Sequence, residues 1–265
     1  MNIVVCVKHV PDATADRRFE ADGTVDRVGV DGLLSELDEY AVEQALQLKE
    51  RLSAGAGDSE VTVLTVGPEK AADAIRKALQ MGADKGVHVL DDAIAGSDAL
   101  ATSLVLAAAI RRLGHDLVVC GLSSTDGAMG VVPAMLAERL GVPGVTLAGA
   151  IEEVEPGRIR IRRDGDTASV LVESGLPAVL SVTDQTDEPR YPSFKGIMAA
   201  KKKPVETWSL ADLDISPDQV GLSASWSVVE NTAARPPRSA GEIVTDEGGN
   251  GAKALVDFLA AQRFI

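Results

Sequence analysis

Two hydrophobic rhythms alternate through the first half of the chain. Short, Val-rich apolar runs at residues 3–7, 61–66, 86–90 and 117–120 have the length of strands buried on both faces. Between them, apolar residues recur at helical spacing, as in Leu37, Ala41, Ala45, Leu48 and again in Ala72, Ile75, Ala78, Leu79. Ser35-Glu-Leu-Asp38 fits a capping box with Asp38 in place of the usual Glu or Gln, which predicts a helix to about residue 52. Gly82 stops the second helix. Ser97 is the expected cap of a third, which runs to Leu113-Gly114, and a fourth follows the loop 121–130 as far as Leu140. Strands alternating with helices predict an α/β fold built on a doubly wound, mostly parallel, Rossmann-like sheet.

The rhythm changes after Pro143. Residues 145–154, 158–163 and 169–173 read as shorter strands with turns at Pro156-Gly157 and Asp164-Gly165, and 178–182 as one more buried strand. They are expected to form the later part of the same sheet plus an antiparallel ribbon. The polar segment 11–34 carries a hairpin-like turn at Ala21-Asp-Gly23. Beyond Lys203 dense periodicity is lost: 204–238 reads as mostly extended, with Pro236-Pro237, and 251–262 as a helix. The chain therefore divides into an α/β domain, 1–203, and an extended C-terminal arm, 204–265. Such an arm buries little against itself and is expected to pack on another subunit.

Composition narrows the function classes. With 45% hydrophobic residues in 265, the chain can bury a sizeable core. A formal net charge of -14 argues against nucleic acid and anionic membranes as partners. Cys6 and Cys120 lie in apolar runs and read as buried, reduced thiols of a cytoplasmic protein. The amino terminus has no secretory pattern, and the longest apolar stretch, 99–110, is too short to span a bilayer, so no membrane insertion is expected.

Catalytic clusters are sparse. His9, His88 and His115 are far apart in sequence with no ligand-spaced neighbour, and there is no Gly-x-Ser-x-Gly, Cys-x-x-Cys or Walker loop. No catalytic residue and no metal site is predicted. The loop 123–133, Ser-Ser-Thr-Asp-Gly-Ala-Met-Gly-Val-Val-Pro, follows a buried strand and opens a helix. Backbone N–H groups and the helix dipole there favour a phosphate, Gly127 and Gly130 permit close approach, and Ser124 and Thr125 add hydroxyls. Read as residues alone, it is either a phosphate cradle or an ordinary strand-to-helix turn. Asp126 would bond its own loop's amides, meet a ribose hydroxyl, or require a donor partner. The stretch 187–203 concentrates Pro189, Arg190, Tyr191, Pro192 and Phe194 ahead of Lys201-Lys-Lys203, in a chain with only 3% aromatic residues. It is either a solvated connector or a presented recognition element.

Taken together, Lys8-His-Val-Pro-Asp12, Asp38-Glu-Tyr-Ala-Val-Glu-Gln-Ala45, Ile75-Arg-Lys-Ala-Leu-Gln-Met-Gly-Ala-Asp84, the Ser124-Thr-Asp-Gly127 loop and the phrase from Glu188-Pro-Arg-Tyr to Lys203 resemble the electron transfer flavoprotein beta subunit. The resemblance runs in order along nearly the whole chain and is weakest after Trp208. It implies an adenine-nucleotide alpha-hydrolase-like layer and an electron-carrier subunit that is not itself an enzyme. It also implies a heterodimer with an alpha subunit that holds most of the FAD. Electrons would come from dehydrogenases such as those of acyl-CoA in fatty acid beta-oxidation and leave to a membrane quinone oxidoreductase.

By position, the resemblance places a buried AMP among Cys6, Ser35, Glu36, Leu37, Asp38, Val66, and the loop Ser124, Thr125, Asp126, Gly127, Ala128, Met129, Gly130, Val131, Val132, Pro133, Ala134. Met129 and Val131 stand where many members carry polar side chains, which shifts phosphate binding toward backbone amides. Ala13 stands where some members bring an aromatic to the flavin, and Asp164 falls near a family carboxylate that holds the flavin domain. The docking of dehydrogenases is implied for Tyr191, Phe194, Ile197 and Met198, with Phe194 as the anchor and Lys201, Lys202 and Lys203 as a basic rim. Phe194 packed under its own loop, and lysines that are merely solvated, are the plainer readings. Two other functions stay in view: an electron-bifurcating subunit carrying a second FAD in place of AMP, and a stand-alone adenine-nucleotide regulator similar to universal stress proteins.

Overall fold

Each apolar run becomes a strand, because helices cover both faces of the sheet and leave no strand position for a polar alternation. The structure, a computed structural model, describes residues 1–265 except 16, 17, 54–57, 234, 235, 237–240, 242 and 247. The strands are β1 (Asn2–Cys6), β2 (His9–Pro11), β3 (Gly32–Leu34), β4 (Glu60–Val66), β5 (Lys85–Val89), β6 (Leu117–Gly121), β7 (Gly144–Ala148), β8 (Ala150–Glu155), β9 (Arg158–Asp164), β10 (Ser169–Gly175), β11 (Ala178–Val182) and β12 (Val205–Trp208). The helices are α1 (Glu36–Ser53), α2 (Ala72–Met81), α3 (Ala99–Leu113), α4 (Val132–Leu140), α5 (Phe194–Ala200) and α6 (Gly251–Ala261).

Seven strands form the main sheet in the order β12-β5-β4-β1-β6-β11-β7, and every pairing in it is parallel. This is the doubly wound α/β fold. On one face Ile3, Val5, Val63 and Leu180 meet Ala41, Ala45 and Leu48 of α1 and Ile75 and Leu79 of α2. On the other, Val4, Leu64, Val118 and Val179 meet Val105 and Ile110 of α3 and Leu136 of α4. Each such fully buried aliphatic side chain is worth about 1.5–3 kcal/mol. The chain first builds outward from β1 through β4 to β5, then returns to the other side of β1 with β6. The order therefore reverses between β1 and β6, and a crevice opens beyond their carboxyl ends.

Four expectations change. The single strand expected over 145–154 is two: β7 joins the main sheet, while β8 opens a separate antiparallel sheet, β10-β9-β8. Leu147 takes a left-handed backbone (φ 64) and Gly149 donates to the Arg162 carbonyl at 2.9 Å, so the chain turns out of one sheet into the next. The cap of α3 is Asp98 rather than Ser97: Asp98 accepts from Ala101 N–H at 2.9 Å, whereas Ser97 Oγ accepts from Gly221 N–H at 2.7 Å. The capping box at α1 is not closed by Asp38, whose carboxylate turns to the Lys8 N–H at 2.8 Å. The region after Lys203 is not uniformly extended, since β12 pairs with β5 and Leu210, Leu213, Ile215 and Val220 are buried.

The sheet thus takes in residues beyond 203, and two compact units separate at Met1–Glu230 and Asn231–Ile265. Within the second unit, α6 has no buried residue and exposes Leu255, Val256 and Phe258. Among the described residues no helix is long and apolar enough to cross a membrane.

Candidate functional site

The crevice at the β1/β6 reversal gathers most of the residues expected around a nucleotide. Cys6 ends β1, Val66 ends β4, and Gly121 ends β6 before the loop that leads to α4. Gly121 lies hard against the start of α1: a Cβ there would sit 2.6 Å from the Leu37 carbonyl oxygen and 2.7 Å from Asp38 Oδ1. Only glycine lets the β6 end reach α1 this closely. Ser35 is buried; its N–H donates to the Lys8 carbonyl at 2.9 Å and its Oγ accepts from Thr125 N–H at 3.4 Å. The strand after β1, the turn into α1 and the β6 loop are thereby laced together. Glu36 points to solvent at the rim.

Two cations converge on the loop. Asp126, with its side chain only 3% exposed, accepts from Lys8 Nζ at 2.9 Å and from the Arg27 guanidinium. Lys8 Nζ also lies 3.4 Å from Ser124 Oγ. Burial pushes the Asp126 carboxyl up, but Lys8, the Ser124 hydroxyl and Arg27 together hold it well below the usual carboxylate range. Asp126 also receives its own loop's Gly127 N–H at 2.7 Å, so it combines local and distant donors. Ala128 takes a left-handed conformation (φ 51) and its N–H closes the turn on the Ser124 carbonyl at 2.9 Å. Beyond it, α4 starts at Val132 with Pro133 in its first turn and no side chain capping it. Ala128, Met129 and Gly130 are exposed, Val131 and Val132 half-buried, Pro133 buried and Ala134 exposed.

The donor set fits a phosphate: an ammonium, a guanidinium, the Ser124 hydroxyl, and an uncapped helix start carrying positive partial charge. Lys8 and Arg27 had no assigned role in the sequence reading. Lys8 was legible in part, being a cation directly after the first strand. Arg27 carried no signal, because 99 residues separate it from Asp126.

Asp38 stands apart chemically. It is fully buried, and burial pushes its carboxyl up to about 7 against the opposing pull of the Lys8 N–H and the Lys8 charge. The two cysteines meet at the same place. Continuing the β1/β6 register one step beyond Val5 and Val119 sets Cys6 beside Cys120. Contact with Cys6 and then burial push the Cys120 thiol well above its usual value, and both cysteines are free. High-pKa thiols are poor nucleophiles. His88 is committed to the fold, donating from Nε2 to the Gly67 carbonyl at 2.9 Å.

The second expected cluster lies on another surface. Tyr191 and Phe194 are 92% and 81% exposed, and Ile197 and Met198 flank them on α5. Phe194 is therefore presented and is not packed under its own loop. Ser193 caps α5, its Oγ accepting from Gly196 N–H at 3.1 Å. Lys201 and Lys202 are exposed, whereas Lys203 donates to the Leu79 carbonyl at 2.9 Å at the end of α2. Asp164 is occupied locally, accepting from Ser169 Oγ at 2.5 Å and Arg162 Nε at 3.0 Å. Ala13 lies in an exposed turn.

Comparison with known proteins gives the family. The family pattern described as "Electron transfer flavoprotein domain" matches residues 22–213. The "Electron transfer flavoprotein subunit beta" of Mycobacterium tuberculosis (strain ATCC 25618 / H37Rv) is 47% identical over 266 residues, covering 100% of this chain and 99% of the relative. Its namesake from Clostridium acetobutylicum is 35% identical with 100% of both chains covered. The "Caffeyl-CoA reductase-Etf complex subunit CarD" of Acetobacterium woodii is 35% identical over 92% of each. Similarity of this extent along the full length means that the chain belongs to the electron transfer flavoprotein family, among its beta subunits.

Proposed function

We propose that this chain pairs with an alpha subunit in a heterodimer that takes electrons from dehydrogenases, acyl-CoA dehydrogenases among them, and delivers them to a membrane quinone oxidoreductase. FAD, held mostly by the alpha subunit, supplies the redox chemistry when bound. This chain contributes no catalytic residue; it contributes an adenine-nucleotide site and a docking segment, and it works in the cytoplasm in fatty acid beta-oxidation.

The observation that carries the nucleotide part is the convergence of Lys8 and Arg27 on Asp126, beside the uncapped start of α4. Lys8, Arg27 and the Ser124 hydroxyl would hold the phosphate of AMP, with Asp126 keeping the two cations in place. Val66, Cys6 and the turn Ser35-Glu36-Leu37-Asp38 would enclose the rest. The docking part rests on the exposure of Tyr191, Phe194, Ile197 and Met198, with Lys201 and Lys202 beside them. Aromatic anchors ringed by charge suit an apolar pocket with an acidic rim.

Co-expression with the alpha subunit, followed by extraction and identification of bound nucleotides, tests the reading. One FAD and one AMP per heterodimer are expected. Two FAD would reassign the chain to electron bifurcation, and a colourless chain that captures no alpha subunit would overturn the proposal. Phe194→Ala should raise the KM for the partner dehydrogenase about tenfold or more with flavin content intact. Steady-state electron transfer to the purified heterodimer reads this directly.

A further inference from the structure

The segment that presents Phe194 is fastened along its inner side to α1 and α2, and the strongest fastening is Arg190. Its backbone N–H donates to Glu43 Oε2 at 3.0 Å, its Nε to the same oxygen at 2.7 Å, and one terminal nitrogen to Glu43 Oε1 at 2.9 Å. The other terminal nitrogen reaches Glu50 Oε1 at 2.6 Å. Glu43 is buried, with its side chain 5% exposed, and Glu50 lies two turns further along the same face of α1. A guanidinium that spends its whole fork on two carboxylates of one helix has a fixed plane.

Pro189 and Pro192 flank it and remove backbone freedom on either side. Six residues after Arg190, α5 is pressed against the end of α2: a Cβ on Gly196 would lie 2.5 Å from the Gln80 carbonyl oxygen. Lys203 then closes the segment on the Leu79 carbonyl.

The geometry points to Arg190 as the positioning residue of the docking segment: its clamp on Glu43 and Glu50 sets Tyr191 and Phe194 in the orientation that the dehydrogenase receives. Arg190 turns to Glu43 and Glu50 of α1, away from the exposed set Tyr191, Phe194, Ile197 and Met198. The effect is preorganisation, which spares the complex the cost of ordering the loop on binding. This inference rests on the docking reading above. It goes beyond it in assigning partner affinity to a residue outside the docking face and to the helix that anchors it.

The test uses the assembled heterodimer and a dehydrogenase that reduces it. Arg190→Gln should raise KM about tenfold while leaving kcat and flavin content unchanged, and should speed hydrogen exchange at the amides of residues 191–200. Arg190→Lys, which cannot span both carboxylates, should show most of the same loss. Glu50→Gln, on the exposed side of the clamp, should raise KM about two- to threefold and serves if Arg190→Gln does not assemble. Unchanged KM in Glu50→Gln and Arg190→Lys, with native exchange rates, would overturn the clamp. Phe194→Ala separates the two ideas. If it raises KM and the Arg190 variants do not, the clamp alone fails. If it too leaves KM unchanged, the docking reading fails.

Discussion

Asp126 and Asp38 are two carboxylates a few residues' reach from Lys8, and their environments drive them apart. Asp126 is charged at every pH at which the protein works, because Lys8 and Arg27 outweigh its burial. Replacing either cation with Met leaves this buried carboxylate with one cationic partner. Lys8→Met and Arg27→Met should each weaken nucleotide retention by about tenfold or more, measured as nucleotide recovered per purified chain. Asp38 behaves in the opposite sense. Its carboxyl binds a proton more readily folded than unfolded, so the stability it contributes is greatest below about pH 4 and is lost as pH rises to about 7. The loss is on the order of 4 kcal/mol for a carboxyl shifted this far. Thermal melting across that range should show the decline, and Asp38→Asn should flatten it. Asp126, whose folded value is depressed, adds the reverse slope only at more acidic pH, where its stabilisation disappears as the carboxylate protonates.

At the level of elements, the ends of helices and strands do more than stop them. Asp98 caps α3 through one oxygen and with the other accepts from Trp226 N–H at 2.9 Å and Ser227 N–H at 3.1 Å. One side chain thus serves a helix start and a distant loop. Asp98→Ala should cost about 2–3 kcal/mol, more than a cap alone, and Asp98→Ser should recover the cap portion only; urea unfolding of the three proteins separates the terms. Gly121→Ala should be as damaging, since its Cβ would collide with α1 backbone that cannot move away.

The periodic elements were legible because period and burial coincide: the Val-rich runs became β1, β4, β5 and β6 within a residue or two. Their meeting points were not. Ser97 and Asp98 are both good cap residues, and only the Gly221 N–H that occupies Ser97 decides between them. The break between β7 and β8 hides in a continuous apolar-polar alternation, with Leu147 at the unexpected left-handed turn. Val205-Glu-Thr-Trp208 looks like part of an irregular tail until β5 supplies its partner. Of the candidate site, the loop 123–133 could be read from the chain itself, whereas the turn 35–38 read only as a helix start and joined the site through the family resemblance. The pairings Lys8–Asp126, Arg27–Asp126 and Arg190–Glu43 join residues 118, 99 and 147 positions apart and have no local signature.

For the molecule as a whole, the β1/β6 crevice and the exposed segment 191–202 are built from different elements, and the net charge of -14 makes local cations such as Lys201 and Lys202 conspicuous to an acidic surface. A chain ending at Glu230 retains the sheet, both core clusters and the crevice. It should unfold cooperatively and bind nucleotide when paired. It should also lose affinity for the alpha subunit, because Leu255, Val256 and Phe258 of α6 go with the deleted piece. Pull-down of the alpha subunit by full-length and shortened chains measures that loss.

The route of the chain between β11 and β12 has a consequence for how the protein matures. β11 lies beside β6, while β12 is added at the opposite edge, beyond β5. The stretch joining them crosses over α1 and α2, and what shapes it comes from those helices: Glu43 and Glu50 from one, Leu79 and Gln80 from the other. None of these supports lies in sequence near residues 187–203, so the segment cannot take its final form by local folding. Its contacts with Glu43, Glu50, Leu79 and Gln80 require α1 and α2 to be in place. On the proposed docking function, a subunit stalled on the way would offer a dehydrogenase nothing to hold, and competent docking would become a signature of completed folding.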